Sequence, residues 1–158
     1  MALNLTEARN RLIDLPADKL LALMAYGEAR GEPVEGQLAV MWAAMNRARI
    51  GGWYGKGIAG EGGVVLKPFQ FSCFNENDPN LPTLVSVIAA PDGVFWQLFG
   101  IARVALAGLT IDPTMNSTNY HTIAAPAGQS WPPLWASRME KTVTINSHVF
   151  YKEKIKGV

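Results

Sequence analysis

Apolar residues recur at helical spacing through the first third of the chain. In "LTEARNRLIDL" Leu5, Ala8, Leu12 and Ile13 fall on one side, which predicts a short amphipathic helix. Pro16 then suits a first helical position, and Leu20, Leu23, Met24 and Gly27 follow at the same period. Gly31, directly after Arg30, is a natural stop. A third helix opens near Pro33 with a wide apolar face of Val34, Leu38, Met41, Trp42 and Met45. "GGWYGKGIAGEGGVV" breaks the pattern and predicts a loop with room for one helical turn, without a phosphate-loop motif. Helical period returns over 94–107 through Phe95, Leu98, Phe99, Ala102 and Leu106. The period then falls to two: "TVTI" and "HVFY" flank Asn146-Ser147, a β-hairpin signal. The sum is a mostly helical α+β protein with a small β-hairpin near the C-terminus.

Composition narrows the class. A length of 158 residues predicts a single domain over 1–158, and 49% apolar with 17% charged residues is an ordinary globular balance. A net charge of +1 without a basic stripe argues against nucleic-acid binding. The basic cluster "YKEKIK" reads as a solvated tail. One cysteine, Cys73, permits no internal disulfide. The N-terminus lacks the features of a secretory signal, and no window nears the about 18 apolar residues of a membrane span. The expectation is a protein made and folded in the cytoplasm, without membrane insertion.

Candidate chemistry starts at "AYGEARGEPVEGQ", where Glu28 and Glu32 stand four apart across a break at Gly31 and Pro33. The break predicts different roles. Glu28 would lie in the last turn of its helix, where the macrodipole and apolar neighbours disfavour an ionised carboxylate, as a general acid requires. Arg30 would cap the helix end or hold a neighbour. Glu32, biased out of the helix by Pro33, would cap the next one. Spacing alone favours the plainer reading of Glu28 as a solvated helix-end residue.

Other constellations are weaker. In "FQFS" Phe69 and Phe71 alternate with Gln70 and Ser72, so an extended segment would turn the two polar residues to one side, groove or plain edge alike. No G-x-S-x-G elbow surrounds Ser72, which argues against a nucleophile. His121 and His148, 27 positions apart, with one cysteine and no H-E-x-x-H predict no metal site. Trp42 and Trp96 fall on apolar helical faces and are expected in the core. Trp53, Trp131 and Trp135 lie in loops, as sugar-stacking surfaces or as anchors on the core. "NENDPN" has Asx-turn character without the pattern of an EF-hand.

"EARGEPVEGQLAVMWAAMNR", "LKPFQFSCFNENDPN", "YHT" and "TVTINSHVFY" occur in the order seen in the SleB-type cell-wall hydrolases, which include spore-cortex-lytic enzymes and phage endolysins. The similarity covers about 20–151, and "QFSCFNENDPN" resembles the phage members best. The resemblance implies a lysozyme-like fold and cleavage of peptidoglycan between N-acetylmuramic acid and N-acetylglucosamine. It maps the catalytic acid onto Glu28 and reverses the reading from spacing. It also turns Gln70, Ser72, Tyr120 and His121 towards the substrate groove, while His148, by its place in the predicted hairpin, reads as structural. With one obvious carboxylate, the implied route is that of a lytic transglycosylase, in which the acid protonates the leaving oxygen and then takes the proton of the sugar's C6 hydroxyl. Some relatives are muramidases or amidases, and Glu32, Glu76 and Asp78 are possible second carboxylates. No cofactor and no metal is implied, and a monomer is expected. The endolysin reading implies storage in the host cytoplasm and action on the periplasmic wall. The rivals are a cellular wall-remodelling or germination enzyme and a non-catalytic peptidoglycan-binding domain, the latter disfavoured by Glu28.

Overall fold

A computed structural model describes residues 4–68 and 70–155. The side chain of Leu5, all of Phe69, and Lys156 of the basic tail lie outside the described residues. Five helices come first, α1 (Leu5–Ile13), α2 (Ala17–Ala29), α3 (Val34–Ile50), α4 (Asn80–Ala89) and α5 (Gly93–Leu106). A three-stranded sheet follows: β1 (Asn119–Thr122), β2 (Met139–Ile145) and β3 (His148–Glu153).

The core is built round α2. Every residue from Leu20 to Tyr26 is buried, because α3, α4 and α5 pack against it on several sides; such a helix is apolar all round rather than striped. Pro16 precedes α2 as its cap, one residue from the expected place, and α2 gives way at Arg30 before Gly31. Asp92 caps α5 by accepting the Phe95 N–H at 2.8 Å, and its other carboxylate oxygen accepts the Tyr26 hydroxyl at 2.7 Å, tying α2 to the start of α5.

The glycine-rich middle is a loop with one 3₁₀ turn, Gly52–Tyr54. It folds onto itself through Lys56 N–H to Gly62 O and Val64 N–H to Gly57 O, both 2.9 Å, and delivers Val64 and Val65 into the core. Gly55, at φ 126°, is required there: a Cβ would stand 2.8 Å from Gly62 O.

Four expectations change. Helix α4 has no counterpart in the sequence reading; its apolar residues Leu81, Leu84 and Val85 are spaced for a helix, but the run is short and follows the turn that Asp78 closes on the Asn80 N–H. The hairpin is part of a larger sheet of order β1-β3-β2, all antiparallel, with Asn146 at φ 52° in the hairpin turn. "FQFS" is not extended, since Gln70 lies in a turn and Ser72–Phe74 form a 3₁₀ helix. Trp96 is 50% exposed rather than in the core, while half-buried Trp42 donates to Thr110 Oγ1 at 3.0 Å.

Strand β3 lies between β1 and β2 and carries His148 and Phe150 on the face towards the helices, Val149 and Tyr151 on the other. The register sets Tyr120 opposite Phe150 and Thr122 opposite His148, so β1 turns Tyr120 and Thr122 to the helical side. That pairing brings the sheet to the C-terminal end of α2.

Candidate active site

A groove of about 540 Å³ opens where α2 ends against the sheet. Glu28 lies along it with Glu32, Asn80, Thr122, Ser147 and His148. Glu28 sits in the last turn of α2. One residue before it, Gly27 lets the 3₁₀ helix press in, because a Cβ at this position would be 2.7 Å from both Cβ and Sγ of Cys73. The close approach puts the Cys73 N–H 3.4 Å from Glu28 Oε1, with the thiol beside the same carboxyl.

Burial raises the Glu28 pKa above the ordinary carboxylate range. The Cys73 thiol and N–H oppose the shift by favouring the anion, as does the Tyr120 hydroxyl, while the charge of Asp78 adds to it. Burial and the neighbouring Glu28 push the Cys73 thiol far up, so it remains a neutral donor. The Tyr120 hydroxyl is buried and faces this carboxyl but stops short of a hydrogen bond; it has no partner among the described residues. The outcome is a carboxyl poised to hold a proton, with three donors around it that can steady the anion left behind.

Arg30 is engaged away from that carboxyl. It donates to Tyr26 O at 3.0 Å and to Asn80 Oδ1 at 3.2 Å, and lies over the Tyr26 ring at 5.3 Å, so it both caps α2 and holds the start of α4. Glu32 does not cap α3, whose N-terminus has no side-chain cap. Its carboxylate lies 3.5 Å from His148 Nδ1 instead, and both residues line the groove.

The remaining expected residues divide. Tyr120 reaches Glu28. Gln70 points its carboxamide oxygen at Arg47, which donates at 3.0 Å, and Ser72 is exposed at the head of the 3₁₀ helix. His121 is turned away. It lies on the opposite face of β1, with Nδ1 2.8 Å from Thr122 O and Nε2 2.9 Å from the Tyr151 hydroxyl, against the rings of Trp131 and Trp135. Adjacent strand residues cannot share a face, so Tyr120 and His121 were never both available to one groove. Trp131 and Trp135 accordingly anchor their loop on the sheet, whereas Trp53 is 73% exposed. His148, read as structural from the sequence, lines the groove with Glu28, and the buried Arg47, given no role there, interacts with Glu28 through its charge. His148 could have been found from strand alternation, which separates it from Val149. Arg47 carries no comparable signal, because an arginine in a helix is ordinarily solvated. Among the described residues, no group of three His, Cys, Asp or Glu gathers as a metal site, and no single helix is long and apolar enough to cross a membrane.

The family model described as cell wall hydrolase matches residues 31–151, beginning just after Glu28. No curated protein matches. Two solved structures share the fold. One is the catalytic domain of the germination-specific lytic transglycosylase SleB from Bacillus anthracis, at 23% identity and TM-score 0.64, covering 86% of this chain and 93% of that one. The other is the catalytic domain of the Bacillus cereus SleB protein, at 23% identity and TM-score 0.56, covering 86% and 89%.

Proposed function

The chain belongs to the cell wall hydrolase family, and from that premise we propose that it cleaves the glycan strand of peptidoglycan between N-acetylmuramic acid and N-acetylglucosamine, with Glu28 as the proton donor. The supporting observation is the desolvated Glu28 carboxyl in an open groove, held against Cys73 and Tyr120. A protonated carboxyl gives its proton to the leaving glycosidic oxygen. The resulting anion, steadied by the Cys73 N–H and thiol, then takes the proton of the C6 hydroxyl as that oxygen closes on C1, which leaves a 1,6-anhydro end. This is transglycosylase chemistry, and the Bacillus anthracis SleB domain is named a lytic transglycosylase.

A second reading, hydrolysis by water, is favoured by one feature. Glu32 puts another carboxylate on the groove, and two carboxyl groups are what ordinary glycosidases use. Endolysin use, with the protein held in the host cytoplasm and acting as a monomer on the periplasmic wall, is supported by the phage-like form of "QFSCFNENDPN".

Mass spectrometry of digested peptidoglycan separates these. Anhydro-muramic ends are expected; reducing muramic ends would establish hydrolysis, and freed peptides an amidase. Glu28→Gln is expected to lose about a thousand-fold or more in rate. Its melting temperature at neutral pH should be unchanged or higher. A carboxyl whose folded pKa is raised binds a proton more tightly folded than unfolded, so it costs stability as pH rises above the unfolded value, and the amide removes that cost. Near-wild-type lysis by Glu28→Gln would overturn the assignment.

A further inference from the structure

Arg47 is 6% exposed, and among the described residues no carboxylate lies within ion-pair distance of it. A buried cation without a partner is costly, so the site around it must hold it for a reason. Its guanidinium donates to three carbonyl-type oxygens: Nε–H to Thr118 O at 2.5 Å, and Nη1 to Gln70 O at 3.1 Å and Gln70 Oε1 at 3.0 Å. The Phe71 ring lies against it, with the guanidinium carbon 4.6 Å from the centroid.

These bonds reach two separate pieces of chain. Gln70 leads through Phe71 and Ser72 to Cys73, which supplies the N–H and thiol at Glu28. Thr118 leads into β1 and so to Tyr120, whose hydroxyl faces the same carboxyl. A planar fork can grip both pieces at once; an ammonium cannot. Of the groups whose charge supports that of Arg47, Glu28 is the carboxylate, alongside the phenols of Tyr120 and Tyr54.

Resting on the reading of Glu28 as proton donor, we propose that Arg47 is the positioning residue of this site: it fixes the two walls on which the Glu28 carboxyl rests, and it is the buried positive charge that balances Glu28 once its proton has been given up. The groups that act most on Glu28 itself are Asp78, before α4, and the Cys73 N–H, thiol and Tyr120 phenol already described. Glu32 and His148 lie further along the groove, and Arg30 is held by Tyr26 and Asn80. None of these is a buried cation.

Gln70→Glu tests the idea with little change of shape, because it sets an anion against Arg47 and cancels its charge. The alkaline limb of the pH–rate profile, where Glu28 loses its proton, should move up by on the order of one pH unit. Arg47→Lys keeps the charge but not the fork, so its limb should stay in place while kcat falls about ten-fold or more. The Glu28 carboxyl should show the same upward shift in Gln70→Glu when titrated by carbon NMR, which needs no substrate. Failure of the glycan reading would therefore appear as absent cleavage by the wild type and leave this result standing. A Glu28 titration that coincides in Gln70→Glu and wild type overturns the proposal. So does a Gln70→Glu chain that cannot fold while Gln70→Leu can, since an unpaired buried cation would accept an anion beside it.

Discussion

The two faces of the sheet each carry a tyrosine and a histidine, and they treat them oppositely. On the far face His121 and Tyr151 are hydrogen-bonded to each other at 2.9 Å, and the other imidazole nitrogen is satisfied by Thr122 O. Because a carbonyl only accepts, Nδ1 of His121 carries the hydrogen, and Tyr151 donates to Nε2. On the helical face Tyr120 and His148 stack edge to face with their ring centroids 5.2 Å apart. There the Tyr120 hydroxyl and His148 Nδ1 are buried without a hydrogen-bond partner among the described residues. Unpaired buried polar groups cost stability. A sheet that satisfies one such pair and leaves the other open, beside Glu28 and Glu32, keeps its spare hydrogen-bonding capacity on the groove side. The far pair closes on itself, and the near pair leaves its hydrogen-bonding atoms unpaired beside Glu28 and Glu32.

Tyr120→Phe breaks the comparison most sharply if it is wrong. Removing an unpaired buried hydroxyl should leave the melting temperature unchanged or raise it slightly, while glycan cleavage falls about 10- to 100-fold. Equal activity with Phe at this position would mean that the open hydroxyl does no chemistry. Tyr151→Phe should do the reverse. It strands His121 Nε2, so it should cost about 1 to 2 kcal/mol and lower the melting temperature by about 3 to 6 degrees, as read by calorimetry. The rate at permissive temperature should stay near wild type.

What the sequence disclosed follows the same division. Helices α1 to α3 and α5 were legible because a single buried face or an all-apolar run repeats at helical period over several turns. The hairpin was legible from its alternation. Strand β1 was not, since four residues paired only through β3 carry too little pattern of their own. Glu28 rested on its motif and its helix end, but the partners that tune it come from 45 to 92 residues away by subtraction (Cys73 and Tyr120), and no local signal reports such contacts. The exchange of roles between the histidines had a readable cause. In "NYHT" consecutive residues must face opposite ways, and opposite Thr122 the register places His148, a pairing that only the folded sheet supplies.

His148 gives the smallest effect and the finest test of the difference between the faces. Burial lowers its pKa below the ordinary histidine value; His121 adds to the shift, and the Glu32 carboxylate 3.5 Å from Nδ1 opposes it. Between the lowered folded value and about 6.5, the unfolded chain binds the proton that the folded one refuses, so stability rises with pH across that window. The gain is at most about 1.4 kcal/mol per pH unit. Glu28, with its raised pKa, slopes the other way, so the comparison must be the difference between wild type and His148→Phe rather than either curve alone. That difference, from urea unfolding at a series of pH values, should grow in favour of wild type as pH rises through the window and level off above it. A flat difference would mean that protonated His148 is as well accommodated as the neutral ring, with Glu32 serving as its ion-pair partner, and the contrast between the faces would then rest on the Tyr120 hydroxyl alone.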